Sequence, residues 1–271
     1  MLEEHVGKLV TRMGAVFPGD RAVFRGHDLH TLVKDIDWLE LYVFGITGRR
    51  FTPEQMKVLH ALWSYTSYPE TRIWNNRVAA LAGTSRSTGT LGIAAAMAVS
   101  EAQIYGRGID MRASEFLTRA KMQVNAGADL DELVYTELKQ KRGIAGYGRP
   151  IASGDERIKP MMALLREQGL DDGPHLKLAF GVERILLNGR WRLHMNYGAL
   201  AAALAADFGM SLREYYFFSI PAFLAGMPPC YLDAVEKPEG QLFPLPCRML
   251  SYEGVSRRSW QAANPVVPRD E

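Results

Sequence analysis

Apolar residues recur at helical spacing along most of the chain, and polar residues typical of helix starts precede them. Thr52-Pro53-Glu54-Gln55 combines an N-cap threonine, a proline at the first helical position and a capping-box glutamine. Met56, Leu59 and Trp63 then fall on one face of the predicted helix. The pattern contains no convincing hairpin and no series of alternating strands. It therefore predicts an all-α fold.

Two further helix starts follow the same rule. Asp129 with Glu132, and Ser211 with Glu214, each place an N-cap side chain three residues before a glutamate. Gly143 lies just past the expected end of the first of these helices, where glycine commonly terminates a helix.

Two segments, Gly89–Ala98 and Gly198–Ala206, consist mainly of small residues. Small side chains let helices approach closely, which suits a tightly packed core or a subunit interface. Alternatively, alanine is present only for its helix propensity. On the first interpretation we expect a homodimer.

Composition excludes several classes of protein. The 271 residues are 47% hydrophobic and 23% charged, which is ordinary for a globular chain and not for a disordered or collagen-like one. The net charge is +2 and the basic residues are scattered, so we predict no nucleic-acid partner.

We find no signal peptide, and the apolar stretches fall short of the roughly 18–20 residues that a membrane span needs. We expect no membrane partner and a cytoplasmic location. Cys230 and Cys247 fit no metal spacing, so we expect no metal site. The two cysteines form either a single disulfide or a reduced pair, and a cytoplasmic location favours the reduced pair.

A glycine-rich segment, residues 143–157, interrupts the helical pattern. It holds four glycines and a proline in fifteen residues, so its backbone can approach a ligand closely. The basic residues Lys139, Lys141 and Arg142 precede it. They either complement the dipole at a helix end or bind phosphate.

At this loop the chain begins to resemble the citrate synthase family, including the citryl-CoA lyases. Gly146-Tyr147-Gly148-Arg149 and Asp155-Glu156-Arg157 are similar to the family's Gly-Phe-Gly-His and Asp-Pro-Arg motifs. The other similar segments are, in chain order, Arg25–Leu29, the small-residue helix Ala79–Gly106 ending in Ile104-Tyr105-Gly106-Arg107-Gly108, Asn196-Tyr197-Gly198, Phe217–Asp233 and Tyr252-Glu253-Gly254.

The resemblance implies a citrate synthase-like helical fold with a large and a smaller helical domain. We expect residues 1–108 to form the first part of the large domain and residues 109–195 to form the small domain, with the glycine-rich loop near the cleft. Residues 196–271 would supply the closing helices and the C-terminal tail.

The catalytic residues that the resemblance implies are replaced. The family's base, an aspartate, falls at Gly198, and its two histidines fall at Tyr105 and Arg149. A glycine cannot act as a base. Tyr105 can still donate a hydrogen bond to an enolate oxygen, and Arg149 can stabilise an oxyanion. A substrate-binding arginine of the family falls at Phe223, which favours a larger or less charged substrate than oxaloacetate.

These comparisons define the candidate site. His194 lies two residues before Asn196, close enough in sequence to replace an acid or base, although a half-exposed structural histidine is the simpler interpretation. Arg157 either binds a substrate carboxylate or pairs with Asp155 or Glu156, and Asp155 is expected at the surface or at a helix cap. The predicted roles are catalytic for Tyr105, Arg149, His194 and Asn196, substrate-binding for Arg107, Arg157 and Phe223, and cofactor-binding for Arg142, Gly146, Tyr147 and Gly148.

Three functions remain open, and we favour the first because polar residues such as Arg107 and Arg149 replace the lost groups. The first is an acyl-CoA lyase or acyltransferase that acts on a substrate other than oxaloacetate or citrate, with a coenzyme A thioester as substrate and no tightly bound cofactor. The second is an inactive citrate synthase-like scaffold or regulatory partner, which the loss of all three catalytic residues favours. The third is a sensor that binds a thioester or carboxylate without turnover.

Overall fold

Helices make up most of the protein. The computed structural model describes residues 3–7, 9–149, 154–241 and 247–257, so part of the glycine-rich loop and most of the C-terminal tail lie outside the described residues. The helices are α1 (Leu29–Leu32), α2 (Trp38–Thr47), α3 (Pro53–Thr66), α4 (Trp74–Thr84), α5 (Gly89–Val99), α6 (Arg107–Asn125), α7 (Leu130–Lys141), α8 (Ile158–Glu167), α9 (Pro174–Asn188), α10 (Tyr197–Asp207), α11 (Leu212–Leu224) and α12 (Met227–Val235). The predicted helical fold class is confirmed. No helix in the described ranges combines the length and apolar character needed to cross a bilayer.

The predicted helix starts are present. Thr52 and Ser211 form capping boxes at the starts of α3 and α11, and the Asp129 side chain caps α7. Helix α7 ends at Lys141, so Gly143 lies just past its end as predicted, and Arg142 between them adopts the left-handed conformation, with φ of 59°.

A small antiparallel sheet near the N-terminus was not predicted. Strands β1 (Gly14–Phe17), β2 (Arg21–Phe24) and β3 (His27–Asp28) pair in the order β1-β2-β3. The expectation of no hairpin was therefore wrong. Pro18 and Gly19 form the turn, in which Gly19 has φ of +76° and Asp20 N donates to Phe17 O at 3.0 Å. Proline followed by a glycine at positive φ is the signal of a type II turn, but strands this short carry little periodicity.

The small-residue helix that the resemblance places over Ala79–Gly106 is interrupted. Helix α4 ends at Thr84, Arg86 adopts φ of 58°, and Thr88 caps a new helix, α5. Between these helices, the Ser85 hydroxyl donates to Ala82 O at the end of α4, and the Thr88 hydroxyl accepts from Leu91 N at the start of α5. Tyr105 consequently lies in the loop before α6 rather than at the end of a long helix.

The two small-residue segments occupy different environments. Helix α10 lies in the main core and packs against α6 and α9, with Ala199, Ala202 and Ala203 fully buried. Helix α5 packs against α4 and α12 but leaves Leu91 and Val99 exposed. The small residues of α10 therefore allow close helix packing inside the core of the chain. The exposed face of α5 is the remaining candidate for a subunit interface. The division into segments 1–108, 109–195 and 196–271 stays a prediction.

Candidate active site

A cavity of about 880 Å³ opens between the glycine-rich loop, the starts of α6 and α10, and the helices α3 and α11. Several side chains that the sequence places far apart meet on its wall. The predicted site residues that line it are Tyr105, Gly146, Tyr147, Gly148, Arg149, Arg157, Asn196 and Phe223.

The glycine-rich loop is held against the start of α10 by close backbone contacts. Gly146 has φ of +89°, and a Cβ at this position would lie 2.5 Å from Cβ of Ala199. Gly148 N donates to His194 O at 2.7 Å, and Asn196 N donates to Gly146 O at 2.8 Å. Only glycine fits both the backbone conformation and the space at position 146.

Asn196 connects this loop to the helix. Its side-chain oxygen accepts a hydrogen bond from Gly198 N at 2.9 Å and so caps α10. Its Nδ2 donates to Gly148 O at 2.9 Å. Both ends of the amide are thus used to position the loop. The Tyr147 hydroxyl points into the core, where it donates to Ala179 O at 2.9 Å.

The guanidinium of Arg157 forms a bidentate ion pair with a carboxylate of the same chain. Nε and Nη2 donate to the two oxygens of Asp155 at 2.8 and 2.7 Å. Its guanidinium also lies over the rings of Tyr68 and Tyr197, at 5.4 and 4.6 Å from their centres. Of the alternatives for this arginine, the structure shows the pair with Asp155.

Asp155 is buried, so of the two positions expected for it, the surface or a helix cap, the surface is excluded. It also accepts from Tyr197 N at 2.9 Å. Burial opposes its charge, but the hydrogen bonds from Arg157 and Tyr197 outweigh that effect and hold its pKa below the usual value. The carboxylate is therefore a fixed anchor between the loop and α10.

Arg149 is paired as well. Its Nη1 donates to Glu156 Oε2 at 2.5 Å and to Gly154 O at 3.1 Å. The side chain of Glu156 is 57% exposed. Water competes for a carboxylate at such a position, so this pair costs less to break than the Arg157 pair.

Aromatic side chains form much of the remaining wall. Tyr105 lies against Trp74, with ring centres 6.1 Å apart, and remains partly exposed. Phe223 packs against the cluster formed by Ala79, Ala96 and Met227. The polar groups of the site are therefore set in a largely apolar surface.

Three predicted residues lie outside the described wall of the cavity. Arg107 is buried and pairs with Glu101, with its guanidinium 5.1 Å from the Tyr216 ring centre. Arg142 is exposed at the end of α7. His194 pairs with Glu183 through Nδ1 and Oε1 at 3.3 Å. Arg107 and His194 are thus paired with carboxylates of the protein itself, whereas Arg142 is exposed.

The comparison with solved structures identifies the fold. The chain superposes on citryl-CoA lyase from Hydrogenobacter thermophilus with a TM-score of 0.82 and 20% identity, covering 93% of this chain and 97% of that one. It has the citrate synthase-like fold. ATP citrate lyase from Methanosaeta concilii, solved with (3S)-citryl-CoA, gives a TM-score of 0.74 at 16% identity over 92% of this chain and 42% of that one. Citrate synthase from Thermotoga maritima gives a TM-score of 0.68 at 17% identity, covering 88% of this chain and 62% of that one. No family profile matches the chain, and no curated protein matches it significantly by sequence.

Within this citrate synthase-like fold, Asp110 also lies at the site, although it was not among the residues predicted from the sequence. Its carboxyl group lies on the cavity wall, in the first turn of α6. Burial raises the pKa of Asp110 to about 7, although the nearby cations Arg157 and Arg107 act in the opposite direction. The sequence offers one clue to this residue: Asp110 lies five residues after Tyr105, just beyond the Gly106-Arg107-Gly108 segment that carries the resemblance.

Proposed function

We propose that the protein forms or cleaves a carbon–carbon bond in an acyl-CoA or carboxylic acid substrate other than oxaloacetate or citrate. The observation that carries this proposal is the cavity, because it gathers the glycine-rich loop, Tyr105, Arg149, Asn196 and Phe223 on one wall. Its volume of about 880 Å³ lies within the usual range of roughly 300–1,000 Å³ for small-molecule sites.

The charges on the wall support a substrate with little negative charge. The described wall holds three arginines, and each one already pairs with a carboxylate. These pairs are Arg72 with Glu70, Arg149 with Glu156 and Arg157 with Asp155. A dicarboxylate would have to displace these partners. A neutral or aromatic acyl group needs no such exchange, and the rings around Phe223 offer it apolar surface.

The glycine-rich loop is the proposed contact for a coenzyme A thioester, with Gly146, Tyr147 and Gly148 supplying backbone and Arg142 supplying a cation for phosphate. Arg142 is exposed at the end of α7, where it is accessible to a ligand. The ATP citrate lyase of which this chain covers 42% was solved in complex with (3S)-citryl-CoA, and this supports the choice of a thioester. We propose no tightly bound cofactor.

The test is a panel of acyl-CoA thioesters, each incubated with a series of 2-oxo acids. Thermal shift measures binding, and mass spectrometry detects the condensed product and released coenzyme A. We expect at least one thioester with a bulky or aromatic acyl group to bind and to condense. We expect no citrate from acetyl-CoA and oxaloacetate, because Gly198 and Tyr105 replace groups that this reaction uses.

Arg149→Ala should weaken ligand affinity or turnover by roughly 2–4 kcal/mol, as the loss of an oxyanion donor does. Arg166→Ala, at an exposed position of α8, is the matched control. Binding without any product would favour the scaffold or sensor function instead. A panel in which no thioester or acid binds would refute the proposal.

A further inference from the structure

The space that Gly198 leaves beside the cavity is occupied by another carboxyl group. A Cβ at Gly198 would lie 2.8 Å from Oδ1 of Asp110, and 3.2 Å from Oδ1 of Asn196. A side chain at position 198 would therefore collide with Asp110 unless one of the two moved. The absence of a side chain at position 198 gives Asp110 room to face the cavity.

The carboxyl group of Asp110 is also uncommitted within the described part of the chain. No hydrogen bond to its side chain is found among the described residues, in contrast to Asp155, which accepts from Arg157 N, Nε and Nη2 and from Tyr197 N. A carboxyl group placed in this way has its lone pairs available to a ligand. Every other carboxylate on the described cavity wall is engaged by an arginine.

Of Asp110 and the charged or titratable groups that face it, Asp110 is the one whose pKa lies near neutral pH. They are Arg107 on its own helix, Arg157 before α8, and Tyr215 on α11. Burial raises the pKa of Tyr215 well above its ordinary value, and the same holds for Tyr197, the neighbour of Gly198 on α10. Arginine side chains stay protonated in proteins, and burial moves the pKa values of both tyrosines further from neutral pH.

We propose that Asp110 is the general base of the reaction, acting from the start of α6 in place of the carboxylate that position 198 lacks. The inference rests on the proposed function. The carboxylate removes a proton from the carbon next to the thioester carbonyl. The C–H bond breaks, its electron pair forms a carbon–carbon double bond while the carbonyl π pair moves onto the oxygen to give an enolate, and the proton ends on an oxygen of Asp110. Return of a proton to the same carbon restores the thioester.

A structural role predicts different behaviour for the same residue. An aspartate in the first turn of a helix stabilises the helix through its dipole, and its loss then lowers stability without changing proton transfer. The reversible proton step separates the two roles, because it can be followed in the absence of a second substrate.

The experiment follows the loss of deuterium to water from acetyl-CoA, isovaleryl-CoA and phenylacetyl-CoA, each deuterated at the carbon next to the carbonyl. Wild type should exchange at least one of them, with a rate that rises with pH and levels off above about pH 7, since the base must be deprotonated. Asp110→Asn should lower the exchange rate by at least about 100-fold and abolish this rise, while binding the thioester within about threefold of wild type. Glu115→Gln, at an exposed position of the same helix, should behave as wild type.

The outcomes separate this inference from the proposed function. Exchange by Asp110→Asn within a few-fold of wild type would overturn Asp110 as the base and leave the proposed function standing. Binding of a thioester by wild type with no exchange of any of the three would overturn it as well. Failure of wild type to bind any thioester or acid would refute the proposed function itself.

Discussion

Asp110→Asn should make the protein more stable at alkaline pH, although it removes a charge from the first turn of a helix. The ordinary pKa of 3.8 is raised to about 7 in the folded protein. At about 1.4 kcal/mol per pH unit, this difference of about 3 units corresponds to at most about 4 kcal/mol. Asp110 is partly exposed to the cavity, and water there reduces the cost of its charge. We expect a gain of about 2 kcal/mol at pH 8.

The direction of this change in stability follows from proton binding. Between pH 3.8 and about 7 the folded protein holds a proton on Asp110 that the unfolded chain has released. The free energy of unfolding therefore falls as pH rises through this window and stays lower above it. Asparagine does not titrate, so the variant lacks this fall.

Urea denaturation of wild type, Asp110→Asn and the control Glu115→Gln at pH 5, 6, 7 and 8 measures the effect. The advantage of Asp110→Asn should be small at pH 5 and should grow up to about pH 7, while the control shows no such trend. A difference that is the same at every pH would refute the argument. A loss of stability that grows with pH would instead support stabilisation of the helix dipole by the charged side chain.

Three further predictions follow from the packing. Arg157→Ala should lower the stability by about 3–5 kcal/mol, because it leaves the buried carboxylate of Asp155 without its cation; thermal or urea unfolding checks this, and a change below 1 kcal/mol would contradict it. Gly146→Ala should cost at least about 2 kcal/mol, from its positive φ and the contact with Ala199, whereas Gly143→Ala, with open space around it, should be nearly neutral in the same assay. Light scattering at micromolar concentration should show a homodimer, with the exposed face of α5 in the interface; a monomer would exclude it.

The sequence by itself determined the features that depend on neighbouring residues. The helix starts at Thr52, Asp129 and Ser211 follow from hydrogen bonds between residues three positions apart, so a short stretch of chain contains all the necessary information. The ordered motifs around the glycine-rich loop were sufficient to predict the fold, and eight of the eleven predicted site residues line the cavity.

Only the tertiary structure decided how the charged groups of the site are used. Arg157 could bind a ligand or pair locally, and the choice depends on the burial of Asp155 against α10. For Asp110 the sequence offered only its position beside the resembling segment, because its raised pKa comes from burial and its room at the cavity comes from Gly198 on another helix. Burial and long-range electrostatics depend on which helices meet, and no local pattern of residues contains that information.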